Sequence, residues 1–227
     1  GVNGRQVILS IEDSTSTATG AITAFRKIIS LDNPEVIIGD VWTQLFEPLI
    51  PMASSEKVVV ISPTVVASTV TPGPFAFTMG QKPETAANAV SKFFDINPNI
   101  KTISIFCWDN TWGAAYLAVW KKEITKRHIR IINETCVNDF AYDYRTDVTK
   151  VVAQKPDAVI IAHHSERILK LFSEQDLHPL ILSTSNIVEA LHDKTLQPEF
   201  AEGVFLTSWD PTPEFAERFN KLFNEYP

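Results

Sequence analysis

Apolar positions along this chain follow two alternating rhythms. Short runs rich in β-branched and aliphatic residues, QVILSIED, EVIIGD and KVVVISP, are separated by longer stretches, TATGAITAFRKIIS and QLFEPLIPMASSE. In the longer stretches apolar residues recur every third or fourth place. The short runs predict buried strands, and the longer ones predict helices that lay one face on a sheet. In TATGAITAFRKIIS the side chains of Ala21, Ile22, Phe25, Ile28 and Ile29 share one helical face, and Asn33 with Pro34 predicts the end of that helix. Strand, helix and strand in succession predict an α/β fold with a doubly wound parallel sheet.

The rhythm restarts after Met79 and Gly80. KPETAANAVSKFFDI reads as a helix, TISIFCWD as a strand and AAYLAVWKKEITKR as a helix. IRIINETCV, DAVIIAH, PLILSTS and GVFLTSWD follow as strands, with helices YRTDVTKVVAQ, SERILKLFSEQ and EFAERFNKLFNEY around them. No internal repeat appears, which excludes solenoids and propellers. The segment between Ser62 and Gly73 is rich in Pro, Ser and Thr but too apolar for a linker, so two α/β lobes with a boundary near Met79 are expected.

Composition narrows the function. At 227 residues and 44% hydrophobic, the chain has material for one large or two small cores. A net charge of -7 and a pI near 5.2 lack the basic footprint of a nucleic-acid or membrane-surface binder. No apolar run approaches the roughly 18 residues of a spanning helix, so direct membrane insertion is not expected. GVNGRQVILS has no leader pattern, and an export signal would lie upstream. Cys107 and Cys136 fall in separate strand-like runs without CxxC spacing. They read first as free buried thiols, with a disulfide as the alternative if their strands are neighbours in an oxidising compartment.

The motifs of common enzymes are missing. None of the 8 glycines forms GxGxxG or GxxxxGK[ST], and neither a GxSxG elbow nor an HExxH pair occurs. No cofactor and no metal are expected. His163 and His164 end the strand DAVIIA on the side where open α/β sheets place ligands, and one of them is expected to face that site. Asp139, Asp143 and Asp147 lack the spacing of a calcium loop, and Asp143 precedes a helical pattern, so the series reads as solvated capping residues.

Taken in order, GVNGRQVILSIEDS, EVIIGD, KVVVISPT, FCWDNTWGAA and KPDAVIIA resemble the signature run of the leucine/isoleucine/valine-binding protein family. The resemblance covers nearly the whole chain. It implies a type I periplasmic binding protein, two doubly wound parallel-sheet lobes with a ligand cleft between them. Residues 1–79 would then form lobe one, 80–207 lobe two, and 208–227 the start of a return to lobe one.

The resemblance also implies site residues. Thr43 falls where the family uses a serine hydroxyl for a ligand carboxylate, with Trp42 beside it. Thr64 falls where a backbone group contacts that carboxylate, and Val66 replaces the threonine that completes the grip. Trp112 stands for an aromatic of the second-lobe turn, His163 or His164 for a second-lobe tyrosine, and Ser185 lies near the position of the carboxylate that holds a ligand ammonium. With that carboxylate absent, an apolar or aromatic carboxylate is expected rather than an unmodified amino acid.

The function so implied is a non-enzymatic, monomeric solute receptor, periplasmic or lipid-anchored outside the cell, that delivers a small molecule to an ABC transporter permease. The alternatives are a sensory ectodomain of the same fold and a small-molecule enzyme using His163 or His164. In the family's strand order Val7 to Ile11 and Val36 to Ile38 would flank a strand from residues before Gly1. The chain is accordingly expected to be truncated at both ends, with lobe one unable to form a stable sheet alone.

Overall fold

The computed structural model describes residues 3–65, 73–80, 82–137, 142–163, 165–184, 186–207 and 212–224. The chain divides into two compact units: Gly1–Ser91 with Cys107–Ile129 and Cys136–Asp139, and Lys92–Phe106 with Arg130–Thr135 and Phe140–Pro227.

The first unit opens with helix α1 (Ala18–Asp32), whose Thr17 hydroxyl accepts the Gly20 amide at 3.0 Å. Asn33 takes the left-handed conformation and ends the helix as predicted. Strands β1 (Val36–Ile38), β2 (Val59–Ser62) and β3 (Ala76–Thr78) form a parallel sheet in the order β1-β2-β3. The single helix expected over QLFEPLIPMASSE is instead two, α2 (Thr43–Phe46) and α3 (Leu49–Glu56). Pro48 has no N–H to continue the ladder, whereas Pro51 falls in the first turn of α3, where that N–H would have no partner. Ala21 and Phe25 of α1 pack with Leu45, Phe46, Ile50 and Val60 in one core. Burying each large member of such a cluster contributes about 1.5 to 3 kcal/mol.

The strand predicted over Val7–Ile11 does not enter the sheet. The segment has no regular secondary structure, with Val7, Ile8, Leu9 and Ile11 exposed by 64 to 88%. It is held near α1 by polar ties, Ser10 Oγ to Asp32 at 2.6 Å and Lys27 Nζ to Glu12 at 2.8 Å. An apolar run becomes a strand only where a neighbour accepts its hydrogen bonds, and β1 pairs with β2 alone among the described residues.

Strands β4 (Thr102–Trp108), β5 (Arg130–Val137), β6 (Ala158–Ala162), β7 (Leu180–Thr184) and β8 (Phe205–Thr207) form a second sheet in the order β5-β4-β6-β7-β8. The β6–β7 and β7–β8 pairs are parallel. All of β6 is buried, as a central parallel strand covered on both faces must be. Helices α4 (Pro83–Ile96), α5 (Thr111–Lys126), α6 (Arg145–Gln154), α7 (Ser165–Glu174) and α10 (Pro213–Phe223) match the predicted stretches. The short α8 (Asn186–His192) and α9 (Pro198–Ala201) lack a long apolar period and were not legible.

Two sequence readings are corrected. Cys107 and Cys136 are not free thiols: β4 and β5 are neighbours, and the two residues form a disulfide with a Cα–Cα distance of 4.5 Å. Asp147 is not a solvated cap but a buried residue of α6, where Tyr142 donates to it at 2.8 Å and Thr135 at 3.3 Å. Asp143 accepts the Arg145 amide at 3.1 Å, as a residue entering a helix would, and Asp139 lies outside the described residues.

Candidate functional site

In the first unit hydroxyl groups tie the carboxyl ends of β1 and β2 together, and backbone hydrogen bonds add the end of β3. Ser62, fully buried at the end of β2, donates to the Asp40 carbonyl at 2.6 Å and accepts the Val65 amide at 3.1 Å. Thr64 donates its hydroxyl to the Val41 carbonyl. The Met79 amide reaches the Ser62 carbonyl at 2.9 Å, and the Gly80 amide the Val65 carbonyl at 3.1 Å. A side chain at position 80 would meet the Thr64 carbonyl oxygen at 1.9 Å, so this approach requires glycine. The segments 39–43, 62–65 and 79–80 thus form one rim.

Of the predicted contacts, Trp42 and Thr64 lie exposed on this rim, and Thr43 is buried at 3% exposure as the first residue of α2. Val66 lies outside the described residues. Helix α2 packs against α5 of the same unit.

Trp112 sits in the first turn of α5, half-buried. Its turn is built by the D-N-x-aromatic-G sequence: the Asp109 amide reaches the Val137 carbonyl at 2.9 Å, and Asn110 caps the helix by accepting the Gly113 amide at 2.9 Å. A Cβ at Gly113 would lie 2.0 Å from the Trp108 carbonyl oxygen. The Trp112 ring stacks on Tyr116 with centroids 4.4 Å apart. Burial raises the Tyr116 phenol above its usual range, a hydrogen bond from Trp112 opposes this, and the Glu84 carboxylate adds to it.

In the second unit His163 follows β6 with 1% exposure, and its imidazole is hydrogen-bonded to the Tyr144 hydroxyl. Tyr144 is itself buried, edge-on to Phe106, and burial holds its phenol well above the usual tyrosine range. His164 and Ser185 lie outside the described residues. A cavity of about 70 Å³ lined by Phe172, His178, Glu199 and Phe200 sits at the opposite, amino-terminal end of β7, and is well below the ~300 Å³ of an organic ligand pocket. Among the described residues no group of three or more His, Cys, Asp or Glu side chains is placed to hold a metal ion.

The sequence reading missed Ser62, Tyr116 and Tyr144. Ser62 as the polar last residue of the apolar run VVIS and Tyr116 one turn beyond Trp112 were available signals, whereas nothing local linked Tyr144 to His163.

The whole chain, residues 1–227, matches the family model described as periplasmic binding protein. The chain belongs to the type I periplasmic binding proteins. Solved structures share the fold at low identity. An ABC-transporter solute-binding protein from Rhodopseudomonas palustris BisB5, in complex with 3,4-dihydroxybenzoic acid, has a TM-score of 0.78 and 20% identity over 99% of this chain. Another from R. palustris, in complex with benzoate, has a TM-score of 0.79 and 17% identity over 99% of the chain. The leucine-binding protein LivK of Thermotoga maritima has a TM-score of 0.79 and 19% identity, also over 99%. The chain spans 65%, 65% and 67% of these three structures' own lengths. Among curated proteins no sequence matches it.

Proposed function

We propose that this chain is the ligand-binding part of an extracytoplasmic solute receptor that takes a small aromatic or apolar carboxylate and passes it to an ABC-type importer without chemical change. Membership of the periplasmic binding protein family supports the receptor role and the location outside the cytoplasm. No helix among the described residues is long and apolar enough to cross a membrane.

One observation carries the ligand class. The hydroxyl-tied rim bearing Trp42, Thr43 and Thr64 and the turn bearing Trp112 belong to one unit, in which α2 packs against α5. Such a site offers the indole faces of Trp42 and Trp112 to an apolar or aromatic body. The benzoate and dihydroxybenzoate complexes of proteins with this fold favour the same class. His163 can meet a solute only if Tyr144 gives way, so it is assigned a supporting part.

The test is thermal shift and calorimetry with benzoate, 3,4-dihydroxybenzoate and leucine. A solute bound only by the native state stabilises by about 2.7 kcal/mol at a hundredfold excess over its Kd. Benzoate or its dihydroxy analogue is expected to raise Tm, and Trp112→Ala to remove most of that rise. Strong stabilisation by leucine with none from carboxylates lacking an amine would reverse the ligand class.

A further inference from the structure

Three aromatic side chains follow one another along a single face of α5. Trp112, Tyr116 and Trp120 are spaced four residues apart, the spacing that stacks side chains one turn above another. The Trp112 and Tyr116 centroids are 4.4 Å apart with planes 33° from parallel, and Tyr116 meets Trp120 edge-on at 6.0 Å and 75°. Burial rises along the column: Trp112 is half-buried, Tyr116 is buried, and Trp120 is 1% exposed. The column is therefore anchored in the core at Trp120 and reaches the surface at Trp112.

We propose that Tyr116 is a positioning residue that holds the Trp112 ring in one orientation, so that its flat face selects a planar aromatic carboxylate over a branched aliphatic amino acid. The inference rests on the reading that Trp112 contacts the solute. Tyr116 does not touch the solute in this scheme and acts only through Trp112. An indole free to rotate loses side-chain entropy when a ligand immobilises it, and one already stacked has lost that freedom beforehand. A planar ligand gains most from a fixed face, because offset stacking depends on ring orientation, whereas contact with a branched aliphatic chain does not.

The test uses the full chain with Tyr116→Phe, Tyr116→Met, Trp112→Ala and Trp112→Phe. Benzoate and leucine are the probes in calorimetry. Biosynthetic 5-fluorotryptophan labels all 5 tryptophans for fluorine NMR, with Trp112→Phe assigning the line of Trp112. Tyr116→Phe, which keeps the stack, is expected to hold the benzoate Kd within about twofold and to leave one sharp Trp112 line. Tyr116→Met is expected to raise the benzoate Kd about fivefold, reduce the preference for benzoate over leucine, and broaden or split that line. Tyr116→Leu repeats the measurement should Tyr116→Met fail to fold. An unchanged Trp112 line, or an unchanged benzoate preference despite a broadened line, overturns the positioning role. If Trp112→Ala weakens benzoate binding while Tyr116→Met does not, only the role of Tyr116 falls. If Trp112→Ala leaves benzoate binding intact, or the wild type binds no benzoate, the ligand reading falls and the role of Tyr116 with it.

Discussion

Tyr144 directs its hydroxyl onto the imidazole of His163, and both residues are buried at the carboxyl end of β6. A histidine enclosed in this way is poorly placed to exchange protons with a solute. Its partner cannot help, because burial keeps the Tyr144 phenol protonated well beyond the usual range.

The raised phenols make stability fall in alkali. A group whose pKa is higher folded than unfolded contributes stability that is present below the unfolded value, about 10 for tyrosine, and is lost as pH rises above it. Tyr144 and Tyr116 are both shifted this way. Urea midpoints measured from pH 8 to pH 11 should decline from about pH 10 upward. Tyr144→Phe should be less stable by about 1 kcal/mol at pH 8, through loss of the hydrogen bond to His163, and should show a shallower alkaline decline. Equal slopes for the two proteins would remove Tyr144 as a source of the effect.

The disulfide joins Cys107 to Cys136, 29 residues apart, directly before the turn that carries Trp112. Closing a loop of that length restricts the unfolded chain by about 3.6 kcal/mol in the chain-entropy account. Dithiothreitol should lower the unfolding free energy of the wild type by an amount of this order, and leave the double variant Cys107→Ala, Cys136→Ala unchanged. A wild type indifferent to the reductant would show that the bond contributes nothing to stability.

Ser62→Ala removes both the donor to the Asp40 carbonyl and the acceptor of the Val65 amide in a fully buried position. Leaving these groups unpaired should cost about 1 to 3 kcal/mol. The loss should also loosen the rim, so amide hydrogen exchange at Val65 is expected to accelerate while exchange within β6 does not. Uniform acceleration across both sheets would mean that Ser62 supports the whole chain rather than the rim.

Asp157 accepts the Lys101 amide at 2.9 Å, the Thr102 amide at 2.8 Å and the Thr102 hydroxyl at 2.9 Å, and these bonds hold its carboxyl below the ordinary range. A depressed carboxyl contributes stability that is present above the unfolded value of about 3.9 and is lost as pH falls through the folded value. Because Asp157 is exposed, the contribution at pH 7 should be on the order of 1 kcal/mol. Asp157→Asn should be less stable than the wild type at pH 7, with the difference closing in acid. A gap that persists at pH 2 would assign the effect to packing instead.

The alternation of strand and helix periods was legible along most of the chain because each period reports which faces of a segment meet a core. Thr102–Trp108 and Ala158–Ala162 became strands for that reason, and the stripe from Ala21 to Ile29 became the inner face of α1. The ordered motifs also carried the family, and the D-N-x-aromatic-G turn located Trp112 at a strand end, although the helix predicted from Ala114 in fact begins at Thr111 and takes Trp112 into its first turn. What depended on neighbours distant in sequence was not legible. The resemblance left Val7–Ile11 without the neighbouring strand that would pair it, but its exposed course beside α1 depends on Ser10 meeting Asp32 and Glu12 meeting Lys27. The disulfide required β4 and β5 to be adjacent, the burial of Asp147 required Tyr142 and Thr135 around it, and the enclosure of His163 required Tyr144 from 19 residues earlier. Sequence periodicity by itself determined which segments could be buried; the tertiary structure decided which groups met, because pairing, burial and proton affinity belong to contacts rather than to residues.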